Sequence, residues 1–145
     1  MKDASTALRR AYMDKLKVIL PTYADEVDDT IAPYTQNSPP DQYFVVSNQN
    51  MVDTSNKCGF IGRYSIQVTT YTHFPNGTGN FEDAEVLNTQ MMEAIRPSHA
   101  VDLSVNGFAC FSTQVALSQH ATEKPSTQYW YYKIITIFNH SISEI

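Results

Sequence analysis

The stretch "QYWYYKIITIF", residues 128–138, decides how this chain folds. In an extended segment successive side chains point to opposite faces. Tyr129, Tyr131, Ile135 and Ile137 therefore fall on one side, with Lys133 as the clear polar member, and Trp130, Tyr132, Ile134 and Phe138 on the other. A strand that is apolar on both faces needs both faces covered, whereas a one-sided sheet alternates apolar with polar. The rest of the chain must therefore supply two covers.

Three more strands precede it. "YFVVSNQ" (residues 43–49) is a β-branched, aromatic run just after Pro39 and Pro40. In "RYSIQVTTYTHF" (63–74) Tyr64, Ile66, Val68 and Thr70 alternate with Arg63, Ser65, Gln67 and Thr69. "FACFSTQVALS" (108–118) reads the same way, and it is joined to the opening stretch by the polar loop "QHATEKPST". Between the first two lies "NMVDTSNKCGFIG", longer than a tight turn needs, which reads as a hairpin loop or extended arm over 48–62.

Helices supply one cover. Leu8, Tyr12, Leu16, Ile19 and Leu20 recur at helical spacing over 5–20, with Asp3 or Ser5 as a cap and Pro21 as a stop. A second helix over 82–95 carries Ala84, Leu87, Met91, Ala94 and Ile95, with Asn80 as its cap and Pro97 beyond its end. The order α-β-β-α-β-β predicts an α+β domain spanning residues 1–145: a mainly antiparallel four-stranded sheet, two helices packed on one face, and a long β-hairpin loop. The other face then carries Ser65, Gln67 and Thr69, with Cys110, Ser112 and Gln114, and Tyr129, Tyr131, Ile135 and Ile137. Part of that face is too apolar to stay wet. Either the Pro-containing, acidic segment 22–42 folds over it, or a partner does.

Composition narrows the chemistry. Ten Lys and Arg stand against fifteen Asp and Glu, giving −5, so clustered positive charge for phosphate contacts is absent. No apolar run approaches a membrane span, and "MKDASTALRRAYMDK" is too polar for a secretory leader, so synthesis in a cytoplasm is expected. There Cys58 and Cys110 stay as thiols. His73, His99, His120 and His140 are isolated, read as surface or strand-end residues, and no metal spacing, phosphate loop or G-x-S-x-G elbow occurs. No cofactor and no enzymatic activity are expected. Nine Tyr, seven Phe and one Trp are the unusual feature, suited to surfaces that are both packed and hydrogen-bonded. Trp130, Phe111 and Phe44 are expected to fill the core.

The succession of a first amphipathic helix, "PPDQYFVV", a long loop, "GRYSIQVTTYT", "FEDAEVLNTQMMEAI" and the closing "YWYYKIITIF" resembles the tail terminator and tail-completion proteins of tailed bacteriophages, over most of the chain. The resemblance implies a structural protein of the virion, forming a sixfold or twelvefold ring at the head–tail junction between a portal or adaptor and the tail proteins. An acidic ring would repel DNA passing through it. On that reading Met51, Val52, Cys58 and Phe60 of the loop meet the open sheet face of a neighbour, with Tyr129, Tyr131 and Lys133. Two other readings use the same residues. A small-molecule-binding α+β domain would close its aromatics into an apolar pocket. A ferredoxin-like RNA binder would carry aromatics on its central strands, where Ser65, Gln67, Ser112 and Gln114 stand instead.

Overall fold

The computed structural model describes residues 1–24, 41–75, 77–98, 102–124 and 129–145, Tyr129 by its backbone alone. Its elements run α1 (Ser5–Leu16), β1 (Thr22–Ala24), β2 (Gln42–Asp53), β3 (Ile61–Pro75), α2 (Glu82–Ile95), β4 (Phe108–Glu123) and β5 (Tyr129–Glu144). The strands form one sheet in the order β1-β2-β3-β5-β4.

This corrects the expected four-stranded antiparallel sheet. There are five strands and the sheet is mixed: β1 lies parallel to β2, pairing Thr22 with Phe44 and Ala24 with Val46, while the other neighbours are antiparallel. Three residues directly after Pro21 are too short to show a period of two, which is why β1 was illegible. Its parallel setting also accounts for the length of the connection. Two parallel strands need a crossover of about a dozen residues or more, and residues 25–41 provide it. The expectation that 22–42 covers a sheet face falls, beyond β1, outside the described residues.

Both helices pack on one face, as the stripes predict. Leu8, Tyr12 and Leu16 of α1 and Met91 and Ile95 of α2 share a core with Phe44, Val46, Tyr64, Ile66, Val68, Phe138 and Ile142. Asp3 accepts the Ser5 backbone N–H at 2.9 Å and its hydroxyl at 2.6 Å, and these bonds hold its carboxyl below the usual carboxylate range. The helix ends a turn earlier than expected. Val18 and Ile19 are β-branched and Leu20 precedes a proline, which disfavours continued helix, and Val18 points into solvent. In α2 the Asn80 carboxamide accepts the Glu82 N–H at 3.0 Å. Asn88, which unlike Asn80 is buried, accepts from the hydroxyls of Thr70 (3.3 Å) and Thr136 (3.1 Å), tying α2 to β3 and β5.

The expected loop 48–62 is mostly strand. β2 and β3 continue as a ribbon past a bulge between Ser47 and Asn50, where Asn48 takes a positive φ of 48°, tolerable for Asn. Only 54–60 forms the tip. On β4 a bulge at Phe111 breaks the alternation, so Cys110 pairs with Ile142 and lies on the helix side, not beside Ser112 and Gln114 as expected. Phe111 is 53% exposed and Trp130 is only half-buried; of the three expected core aromatics only Phe44 is fully buried.

Candidate interaction surface

The residues expected to make contacts divide into two groups at opposite ends of β3. Met51 pairs with Tyr64 and Val52 with Arg63, on the ribbon, so both are strand residues and not loop anchors; Cys58 and Phe60 sit in the tip. All four are exposed. Tyr131 pairs with His73 and Lys133 with Tyr71, roughly 30 Å away by the rise per strand residue. The tip is held, not loose. Thr54 N–H donates to the Ile61 carbonyl at 2.9 Å, the Ile61 N–H to the Ser55 hydroxyl at 3.1 Å, and the Cys58 N–H to the Asn56 carboxamide at 2.8 Å. Gly62, at the end of the ribbon beside the tip, is close-packed: a Cβ there would meet the Tyr64 ring at 2.7 Å.

At the other end, Tyr131 is 4% exposed, within a second apolar cluster with Tyr43 and Val45 on the face away from the helices. Tyr43 and Tyr71 stack with centroids 4.8 Å apart, and Tyr131 meets Tyr71 edge-on at 6.1 Å. Lys133 reaches Glu123 at 3.1 Å and lies 5.7 Å from the Tyr71 ring centroid. These two residues are engaged within the subunit. The surface the sequence reading missed is β4, whose residues 114–120 are all exposed, with Phe111, Val115 and Leu117 as its large apolar side chains. Its alternation identified a strand but not its place at the edge of the sheet.

Folding also brings Cys110, His140, Thr113 and Asp102 together in a largely buried cluster. His140 is fully buried, contrary to the expectation of surface histidines; in "IFNHSI" it is in phase with Phe138 and Ile142. The Tyr12 hydroxyl bonds its Nε2, and Nδ1 lies 3.0 Å from the Thr113 hydroxyl and 3.6 Å from Cys110 Sγ. Thr113 in turn donates to Asp102 Oδ1 at 3.4 Å. Since a carboxylate only accepts, the bonds run one way: Tyr12 donates to Nε2, and Nδ1–H to Thr113. Burial lowers the His140 pKa to about 4, with Asp102 opposing and Arg96 assisting. Burial also pushes the Cys110 thiol up and the Tyr12 phenol well up. A nucleophilic cysteine needs the opposite, a thiolate beside an imidazolium, so the cluster reads as a structural pin between α1, β4 and β5.

The hollows are open. One cleft of about 550 Å³ beside α1 is lined by polar groups including Asp3, Arg10, Asp14 and Asn106; a shallow groove of about 650 Å³ runs past Val18, Ile19 and Pro97. Neither is lined by the sheet aromatics, as a small-molecule pocket was expected to be. Among the described residues no group of three or more His, Cys, Asp and Glu could hold a metal, and no helix is long and apolar enough to cross a membrane.

The chain is thus an α+β sandwich: two helices on one face of a mixed sheet, with a projecting β2–β3 ribbon. No protein-family model matches it and no curated protein matches it. Among solved structures, a chain of the "Virion of native gene transfer agent (GTA) particle" is similar in fold, with a TM-score of 0.69 over 99% of this chain and 99% of that one, at 13% sequence identity. At that identity the likeness is one of fold.

Proposed function

We propose that this chain is a non-enzymatic structural protein of a phage-like virion, made in the host cytoplasm and acting as a single domain in a homo-oligomeric ring at the head–tail junction. One observation carries the reading: end-to-end likeness in fold to a chain of a gene transfer agent virion, with neither chain overhanging the other. The acidic charge, the exposed apolar ribbon and the inactivating pKa directions at Cys110 and His140 are in keeping with a role in assembly. Its partners are then copies of itself, a portal or adaptor above and tail proteins below, with neither sequence-specific nucleic acid nor membrane.

The test is the mass of the purified 16.4 kDa chain by light scattering, alone and mixed with the connector proteins of its particle. A closed oligomer of one size, with a tagged copy seen by electron microscopy where head meets tail, is expected. A chain that remains monomeric in both conditions, or a tag found elsewhere on the particle, overturns the junction ring.

A further inference from the structure

Besides the three-residue β1, two lengths of strand edge stand open among the described residues. One is the outer side of β4; the other is the outer side of β2 beyond Val46, where β1 stops. Free edges are templates for another strand, and proteins that stay monomeric block them with Lys, Pro or inward charges. β4 has none of these between Phe108 and Glu123. Its bulges at Phe111 and Ala116 interrupt the first half, but 117–123 runs in unbroken register with β5.

The two edges also match. β2, β3, β5 and β4 are successively antiparallel, so β2 and β4 run in opposite directions at opposite sides of the sheet. A second copy turned about an axis along the strands therefore brings its β2 antiparallel to β4. Val52, opposite Arg63, and Leu117, opposite Ile137, share the face away from the helices. Met51, opposite Tyr64, and Val115, opposite Phe138, share the other. With Val52 set opposite Leu117 these two meet on one face, and Met51 and Val115 lie diagonally, two positions apart, on the other.

We propose that the edge of β4 receives residues 50–53 of a second copy's β2, continuing the sheet from subunit to subunit by strand addition. This rests on the ring reading above and names its contact. Because the two edges are unlike, every copy keeps one of each free, and the step repeats until the ring closes.

Cross-linking in a Cys58→Ser background tests it. Oxidising a mixture of Val52→Cys and Leu117→Cys should give a covalent dimer, the double variant should give a ladder up to the ring, and either single variant alone should give nothing. Amide exchange on the unaltered protein, needing no substitution, should slow at 50–53 and 117–119 on assembly. A ring of unchanged mass with no cross-link between 52 and 117 and fast exchange at both edges overturns the strand contact while leaving the ring. A dimer from Leu117→Cys alone means that β4 pairs with β4 about a twofold axis, which also overturns it. A chain monomeric with and without its connector proteins removes the ring and the contact together.

Discussion

His140 is held in its neutral form by burial, and the sign of the resulting pH dependence is fixed. Its folded pKa, about 4, lies below the 6.5 of an unperturbed imidazole, so the unfolded chain binds the extra proton first. Stability is therefore full above about pH 6.5 and falls as the pH drops toward 4, by about 3 kcal/mol in total. Urea titrations across that range should show the slope, and His140→Gln should flatten it; an unchanged slope in the variant would assign the effect to other groups. The phase of His140 with Phe138 and Ile142 was there to be read in the sequence. What hid its burial was the absence of any visible partner, since Tyr12 and Thr113 reach it only across the folded sheet.

At the scale of elements, both helices were legible because 3.6-residue stripes are local signals. The expected cap at Asn80 is corrected: the N-cap of α2 is Phe81, whose side chain makes no capping bond, and Asn80 accepts the Glu82 N–H from one residue outside the helix. Asn80→Ala should still cost about 1 kcal/mol in a denaturant titration by removing that bond; no loss of stability would mean that water replaces the carboxamide at no cost. Strand lengths were less legible. Asn, Asp, Ser and Gly over 48–62 look like a loop, yet cross-strand bonds carry β2 to Asp53 and start β3 at Ile61. The short tip makes a clean experiment possible. Replacing 55–60 by Asn-Gly leaves Thr54 and Ile61 to flank a two-residue turn, so the melting temperature should barely move while Cys58 and Phe60 are removed. On the strand contact proposed above, which uses residues 50–53 and β4, ring incorporation should persist; its loss would give the tip a part in assembly.

For the whole molecule, the class was readable and the sheet order was not. Alternation tells which residues share a face but never which strands are neighbours. Hence β1 was missed, β4 was not known to be an edge, and Tyr131 was offered to a partner although it is buried within its own subunit. The two-sided apolar character of residues 128–138 did have its meaning: β5 is central, flanked by β3 and β4, with Phe138 under the helices on one side and Tyr131 in the tyrosine cluster on the other.

That central place has a consequence for biosynthesis. β5 is made after every other described element, yet it joins β3 to β4, and Phe138 and Ile142 in the main core arrive with it. A nascent chain stopped before residue 129 holds a hairpin and two helices over an unfinished core, and its β4 has nothing to pair with among the described strands. Such a sheet cannot close in stages as the ribosome delivers it. Folding must wait until β5 has cleared the exit tunnel, and the greasy face of β3 is open to chaperones, or to a neighbouring nascent chain, for the whole of that delay.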